Sequence, residues 1–527
     1  MKVKAWLIGW LIIVVSALSV FGYWVFKIDP YFHYHKPELD RYFYSLNNQR
    51  SQNDGISKHF DYDTLVSGTS MTENFRTTEV DDIFDCTSIK VAFSGGSYKE
   101  INDNIEIALK NNGNLKTIIR CLDMGRFMDS YDLMRLDLGQ YPTYLYDSNP
   151  FNDVEYLLNR DIVFGRAYQM TLDNDKEGFK PGITAFDDYS RWQPSYVFGI
   201  NTVSPNGVTV TETEQSHLSE DEKEVIKKNI DLNVTSVADK YPDVDFYYFY
   251  SPYSVVTWNE WKTKGNLYKQ LEAEALITEL IVPHKNIHLF SFNNRTDITT
   301  DLNNYKDGPH YATWINSLIL KWMHDGQYRL TEENYQEYLK QEYDFYTNFD
   351  YSSVNGQEDY EADFYAAALL NEEFTGIKPL DVLNDDSVDV AINGAEFITE
   401  DGRNAIVNCH GTLARDYNTE VLTDYIRDKE FIGIKFTVNM DEGYNYLYFN
   451  GQKIMDHGRL TAYVYDESGV VVGQIEANYP DLDNELHQYV IDLSTVKGNV
   501  TVVLNGGFVD YTGSADSNYQ FSNVYMY

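Results

Sequence analysis

Four short segments hold residue types able to do chemistry. In "LVSGTSMTENF", Leu65 to Phe75, an apolar run stops at Gly68 and Thr69, Ser70 and a helix-like stretch follow. A serine at a strand-to-helix junction presents its hydroxyl to the crevice beyond the strand ends. Its N–H, at the helix start, is placed to stabilise an oxyanion. Ser70 with Glu73 is also a capping-box pattern, so this stretch alone fits a helix cap as well as a nucleophile. In "AFSGGSYKE", Gly95 and Gly96 allow the backbone to approach a ligand and aim an N–H at it; they also suit a plain turn. In Asp307-Gly308-Pro309-His310, the acid three positions before the imidazole can fix its tautomer and free it to take a proton from a serine. A turn and cap would explain Asp307, Gly308 and Pro309 but not His310. The fourth segment, "CLDMGRF", Cys121 to Phe127, offers Asp123, Gly125 and Arg126.

The surrounding pattern predicts what holds them. Thr64–Val66, "SIKVAF" (Ser88–Phe93), "LKTIIRCL" (Leu115–Leu122), "VDFYYFY" (Val244–Tyr250) and "NIHLFSF" (Asn286–Phe292) read as short apolar strands. Helices are expected between them, over Thr72–Phe84, Lys99–Lys110 and Trp258–Ile281, and from the capping box of Ser219 and Glu222. After His310 a helix carries Trp314, Ile315, Leu318, Ile319 and Trp322 on one face. Such alternation predicts an α/β domain with a mostly parallel sheet covered on both faces. Ligands then bind beyond the carboxyl ends of the strands, where all four segments fall.

Other motifs fail. There is no G-x-S-x-G elbow, no HExxH and no Walker A loop. "DNDKEG", Asp173 to Gly178, begins like a calcium loop, but Thr184 stands where a bidentate Glu is needed and Pro181 interrupts it. His33 and His35 alternate as metal ligands can, without a supporting Cys or carboxylate cluster. Cys86, Cys121 and Cys409 form no disulfide framework; Cys86 and Cys121 pair only if their strands are neighbours.

The net charge of −39 over 527 residues repels phosphate backbones and argues against a nucleic-acid partner. It equally disfavours lying flat on an anionic leaflet. The 44 tyrosines suit sugar-binding surfaces and β-rich cores alike.

Lys2 and Lys4 precede an uncharged run from Ala5 to Phe26. As a helix it would span about 33 Å, enough for a bilayer core. A cleaved signal is the competitor, with Ala17-Leu18-Ser19 as its small-x-small site. The uncleaved anchor is expected, single-pass, with a cytoplasmic N-terminus and the acidic remainder outside the cell. The expected order is residues 1–28 as cytoplasmic tip and transmembrane anchor, 29–60 as stalk, 61–330 as α/β domain and 331–386 as helical connector. Alternating runs such as "LTAYVYDESGVVVGQI" and "VTVVLNGG" predict an antiparallel β-sandwich over 387–527.

Ser at the first strand end, Gly at the second and Asp-x-x-His before the last helix, in that order, resemble the SGNH/GDSL hydrolase superfamily. The likeness covers about residues 60–325. It implies a three-layer α/β/α fold with Ser70 as nucleophile, His310 as base and Asp307 as orienter. The N–H groups of Ser70 and Gly95 or Gly96 would form the oxyanion hole. Thr69 stands where the family has Asp. The family's third block supplies an Asn, and this chain has Asp123, so the resemblance implies either a weaker oxyanion hole or another donor such as Arg126. Membrane-anchored relatives of this kind look like the exported proteins that acylate or deacylate cell-envelope polymers. The C-terminal region resembles jelly-roll carbohydrate-binding modules through "YVIDLS" and "GNVTVVLNGG".

The resemblance therefore implies a serine-dependent acyl ester hydrolase or O-acyltransferase acting outside the membrane on acylated polysaccharide or teichoic-acid-like substrates, with no metal or organic cofactor. The alternative is a non-catalytic glycan-binding or scaffold protein on a degenerate SGNH fold. The separation of Ser70 from His310 discriminates the two.

Overall fold

Five of the apolar runs pair in one direction. In the computed structural model, β1 (Thr64–Gly68), β2 (Ser88–Ala92), β3 (Thr117–Cys121), β4 (Asp245–Tyr250) and β5 (Ile287–Ser291) are parallel. A short β6 (Arg329–Leu330) runs antiparallel to β5, giving the order β2-β1-β3-β4-β5-β6. The sheet is thus mixed, because a strand at Arg329 carries too little apolar sequence to be read in advance. The structure describes residues 2–527 except 140, 148, 175, 177, 193–196, 358, 360–376, 401, 414–420, 455–459, 478–485 and 510–517. Two units emerge, Met1–Tyr360 and Glu361–Tyr527. Asp175 and Glu177 of the calcium-loop-like segment lie outside the described residues.

In the first unit, α1 (Lys2–Ile28) precedes α2 (Gln49–His59), α3 (Thr77–Phe84) and α4 (Tyr98–Asn111). Then come α5 (Glu220–Ile230), α6 (Val255–Thr263), α7 (Leu267–Ile281), α8 (Thr313–His324) and α9 (Tyr335–Asn348). β1 and β2 are buried along their whole length, as parallel strands covered by helices are. α2 and α4 pack together over β2 and β1, and α3 packs on β2 and α8. On α8, Trp314, Ile315, Leu318, Ile319 and Trp322 are all buried. α9 lays Tyr346 flat on Trp258 of α6 at 3.9 Å.

Several expected elements are cut differently, for visible reasons. The helix expected from Thr72 begins at Thr77. Lys90, fully buried in β2, donates Nζ to the carbonyls of Glu73 (2.6 Å) and Phe75 (2.8 Å), so this segment's acceptors are spent on a side chain rather than on a helix. Burial pushes the Lys90 amine down to about 7. The helix expected over Trp258–Ile281 is two, broken at Gly265. That residue has φ of +75°, and a Cβ there would meet the Glu214 carbonyl at 2.6 Å. The capping box at Ser219 forms with Glu222, and a second one caps α4, where Ser97 accepts from the Glu100 N–H. Cys86 and Cys121 are not paired: Cys86 Sγ lies against Val80 O, and Cys121 Sγ lies 2.9 Å from Ser251 Oγ.

α1 is long and apolar enough to cross a membrane: Lys4–Ile28 has a mean hydropathy of 2.2. His33 and His35 point to different partners, His33 Nε2 to Asp153 (3.4 Å) and His35 to the carbonyls of Phe26 and Lys36.

The second unit is built mainly from two antiparallel sheets, with a short parallel pair, Thr412–Leu413 against Phe508–Val509. One orders Ala391–Asn393, Gly433–Asn439, Asn499–Asn505, Leu460–Tyr465 and Val471–Ala477. The other orders Ala395–Glu400, Arg403–His410, Asn518–Met526, Tyr446–Lys453 and Leu486–Asp492, with Leu380–Asp381 against Asn518–Met526. Their core includes Val407, Phe436, Phe449, Val464, Val502 and Phe521. The hairpin in "LTAYVYDESGVVVGQI" turns at Asp466, whose carboxylate accepts from the N–H groups of Ser468 and Val470.

Candidate active site

The parallel strands share one carboxyl edge, and the chemistry-bearing segments follow β1, β2, β3 and β5. Gly68 ends β1. A Cβ there would lie 2.6 Å from Thr72 Cγ2 and 3.0 Å from Cys121 Cβ, so the turn closes only on glycine. The chain then makes a 3₁₀ turn, Ser70–Thr72. Thr69 is the cap of this turn, accepting from the Met71 N–H. Ser70 is not the cap: no capping box forms with Glu73, and Ser70 Oγ lies 2.8 Å from His310 Nε2.

His310 is held from behind. Its Nδ1 lies 2.8 and 2.9 Å from the two carboxylate oxygens of Asp307, and its backbone N–H donates to Asp307 Oδ1 at 2.9 Å. An Nδ1–H pointed at a carboxylate leaves Nε2 as the acceptor facing Ser70 Oγ. Burial works against ionising Asp307, but the His310 hydrogen bond and charge outweigh it and hold the carboxyl below its ordinary range. The intervening Gly308 carbonyl accepts from the N–H and hydroxyl of Ser254 (3.1 and 2.7 Å), and a Cβ on Gly308 would lie 2.6 Å from Thr257 Oγ1. The Asp-x-x-His turn is thereby pinned to the loop after β4.

Ser70 and His310 open onto a cavity of about 570 Å³ that Gly95, Asp123 and Arg126 also line. The N–H groups of Ser70 and Gly95 have no hydrogen-bond partner among the described residues. Gly96 is different: its N–H donates to Phe93 O at 2.7 Å and is consumed by the turn. Of the two glycines weighed as oxyanion donors, only Gly95 keeps an N–H to give.

Asp123 does not face the cavity as a donor. Its carboxylate accepts from Thr69 Oγ1 (2.6 Å), the Gly125 N–H (2.9 Å) and the Tyr253 hydroxyl. It ties the Ser70 turn to the ends of β3 and β4. Arg126 Nη1 lies 3.6 Å from Asp129, leaving a paired cation at the cavity wall rather than a group aimed at Ser70.

Residues that sequence reasoning missed complete the wall. Trp192 stands edge-on to His310, ring centres 6.1 Å apart, and Lys306 Nζ lies 3.9 Å from the centre of the Trp192 ring. Burial lowers the Lys306 pKa. Glu73 also lines the cavity; burial raises its pKa against the opposing hydrogen bond from Gln49 Nε2 (2.6 Å). Lys306 adjoins Asp307 and was within reach of the motif. Trp192 arrives from a long insertion between β3 and β4, and no motif includes it.

No family model and no curated protein matches the chain. Among solved structures, it is similar to a protein of Streptococcus pneumonia described as a platelet activating factor, at 10% identity and a TM-score of 0.26 over 62% of this chain and 99% of that one. A family 4 carbohydrate-binding module is similar at 13% identity and TM-score 0.17, over 28% of this chain and 93% of the module. A β-1,3-glucan-binding module of family 6 from Bacillus halodurans is similar at 10% and 0.17, over 28% and 93%. At these TM-scores the likenesses carry no argument, and the functional reading rests on the site.

Proposed function

We propose that the chain is a serine-dependent acyl ester hydrolase or O-acyltransferase, with Ser70, His310 and Asp307 as its catalytic residues. The observation that carries this is the continuous contact from Ser70 Oγ through His310 Nε2 and Nδ1 to Asp307, at 2.8 and 2.8 Å, on the wall of an open cavity. A cap or a binding surface needs no base on the serine; nucleophilic attack does. The separation also favours catalysis over a degenerate, purely binding fold.

His310 Nε2 takes the Ser70 proton as Oγ bonds to the ester carbonyl carbon. The N–H groups of Ser70 and Gly95 receive the oxyanion. The tetrahedral species collapses, the carbonyl–oxygen bond to the leaving alcohol breaks, and His310 protonates that alcohol. Water or a second hydroxyl, deprotonated by His310, then attacks the acyl-enzyme and regenerates Ser70. Asp307 holds Nδ1–H throughout and stabilises the imidazolium.

In this reading α1 is a single-pass anchor with its N-terminus in the cytoplasm, and residues 61–330 form the SGNH-like catalytic domain outside the cell. The sandwich, over 387–527, would grip the glycan. The substrate is an acylated polysaccharide or teichoic-acid-like polymer of the cell envelope, with the acyl group on a hydroxyl. Turnover of p-nitrophenyl acetate, O-acetylated glycans and D-alanyl esters, each with and without a hydroxyl acceptor, tests the reading. Release or transfer of the acyl group that Ser70→Ala abolishes supports it. No turnover of any ester overturns it.

A further inference from the structure

We propose that the helical run Arg160–Asp173 is a membrane-seating element whose outer face lies in the lipid headgroup–acyl boundary, so that the first unit is docked on the bilayer rather than tethered above it. The inference rests on α1 being an anchor, as proposed above.

The run is helical throughout, with a π turn over Val163–Tyr168. Its inner face is accounted for. Ile162, Val163 and Ala167 are buried, and Arg166 stacks over Tyr31 at 4.8 Å while donating to Asn47 Oδ1 at 2.6 Å. Its outer face is not. Phe164, Tyr168 and Leu172, spaced four apart, are 51%, 43% and 40% exposed, and just before the run Phe151 is 88% exposed. This apolar row, flanked by the exposed Arg160, Asp161 and Gln169, is the amphipathic arrangement of a helix lying at an interface.

The outer face is continuous with α1. Phe21 of α1 meets Phe164 edge-on at 5.6 Å, and Trp24 meets Tyr168 at 5.8 Å. Leu157 and Leu158 pack beside Gly22, where a Cβ would lie at ordinary contact distance, 3.8 and 3.7 Å from them. Depth follows from the helix rise. A hydrocarbon core of about 30 Å takes roughly 20 residues, so a span beginning near Ala5 ends near Trp24. Phe21 and Trp24 therefore sit in the outer turn of the span, and the side chains touching them sit at the depth where Trp and Tyr gather and interfacial helices lie.

The exit of α1 is also fixed rather than hinged. Lys27 pairs with Glu38, Phe26 packs on Tyr34 at 4.8 Å, and His35 Nε2 contacts the Phe26 carbonyl at 2.9 Å. A rigid exit holds the outer face of the run at one height.

The test uses the full chain in a Cys86→Ser background, reconstituted in phosphatidylcholine nanodiscs. A solvatochromic dye is placed by Phe164→Cys, Leu172→Cys, Trp10→Cys or, as an aqueous control, Asp221→Cys on α5. Quenching by lipids spin-labelled near the headgroup should be several-fold stronger at 164 and 172 than at 221, with iodide showing the opposite order. Iodide access at 164 and 172 equal to that at 221, with Trp10 still quenched by lipid, overturns the seat and leaves the anchor standing. Iodide access at Trp10 as well overturns the anchor reading itself. Protection from both quenchers in native membranes, with iodide access in nanodiscs, overturns the lipid as occupant in favour of a protein partner.

Discussion

Thr69 donates its hydroxyl to Asp123 across 2.6 Å, tying the turn that carries Ser70 to the end of β3. The pair joins a hydroxyl donor to a carboxylate acceptor. Asp123, read as a missing oxyanion donor, is better understood as the clamp that holds Ser70 in place. Removing either partner should lower kcat with little change in KM and cost about 1.5–3 kcal/mol of stability, as hydrogen bonds to charged groups do. The Thr69→Val/Asp123→Ala double variant should fall short of the sum by about 0.5–3 kcal/mol. Urea unfolding of the four proteins measures this; strict additivity would dissociate the pair.

The two glycines after β2 should separate cleanly. Gly95 has φ of +61° and an N–H without a partner among the described residues, and a Cβ there would press on Leu138 at 3.0 Å. Gly95→Ala should reduce kcat by up to on the order of 10²-fold, the scale of one oxyanion donor. Gly96→Ala drives a Cβ to 2.7 Å from Phe93 Cβ and 2.8 Å from its carbonyl, so its main effect should be a lower melting temperature. Equal effects on kcat and melting in both variants would contradict the assignment.

Asp307→Asn should reduce kcat by on the order of 10³–10⁴-fold, because an amide no longer selects the tautomer with Nε2 free. The sign of its pH effect follows from its depressed pKa. The contribution is present above the ordinary carboxylate pKa and is lost as pH falls through the depressed value. Thermal unfolding between pH 2 and pH 6 (about two units either side of the ordinary value) should therefore be less steep in the variant than in the parent. An unchanged slope would place the stabilisation elsewhere.

Glu274 and Glu342 are both fully buried, sharing the amide of Asn293 at 3.1 and 2.9 Å. Burial pushes both carboxyls up, Glu274 to about 7. A raised pKa contributes stability that is complete below the ordinary value of 4.5 and lost as pH rises through the raised one. Melting temperature should drop from pH 5 to pH 8, and Glu342→Gln, which keeps a neutral side chain, should flatten that drop. A parent whose melting point is flat over this range would refute the raised carboxyls.

The site was legible in part because its pieces obey local rules. A strand ending in Gly68, and Asp307 three residues before His310, are readable from spacing and turn chemistry. What was not legible depended on distant partners. The break of the helix at Glu73–Arg76 required a lysine buried in β2, and the division near Gly265 required the Glu214 carbonyl, 51 positions upstream (265 − 214). The choice between cap and nucleophile for Ser70 turned on Thr69, which caps the turn and leaves the serine oxygen to His310. Trp192 carries no motif, and Glu73 was readable only as a helix-cap partner; both line the cavity because the fold closes there.

The central claim is that His310 activates Ser70 as a nucleophile. Labelling of the full chain with a fluorophosphonate probe, followed by peptide mass spectrometry, tests it most directly. The adduct should form on Ser70, be absent in Ser70→Ala and be strongly slowed in His310→Ala. A folded parent protein that forms no adduct, or forms it at another residue, would contradict the account.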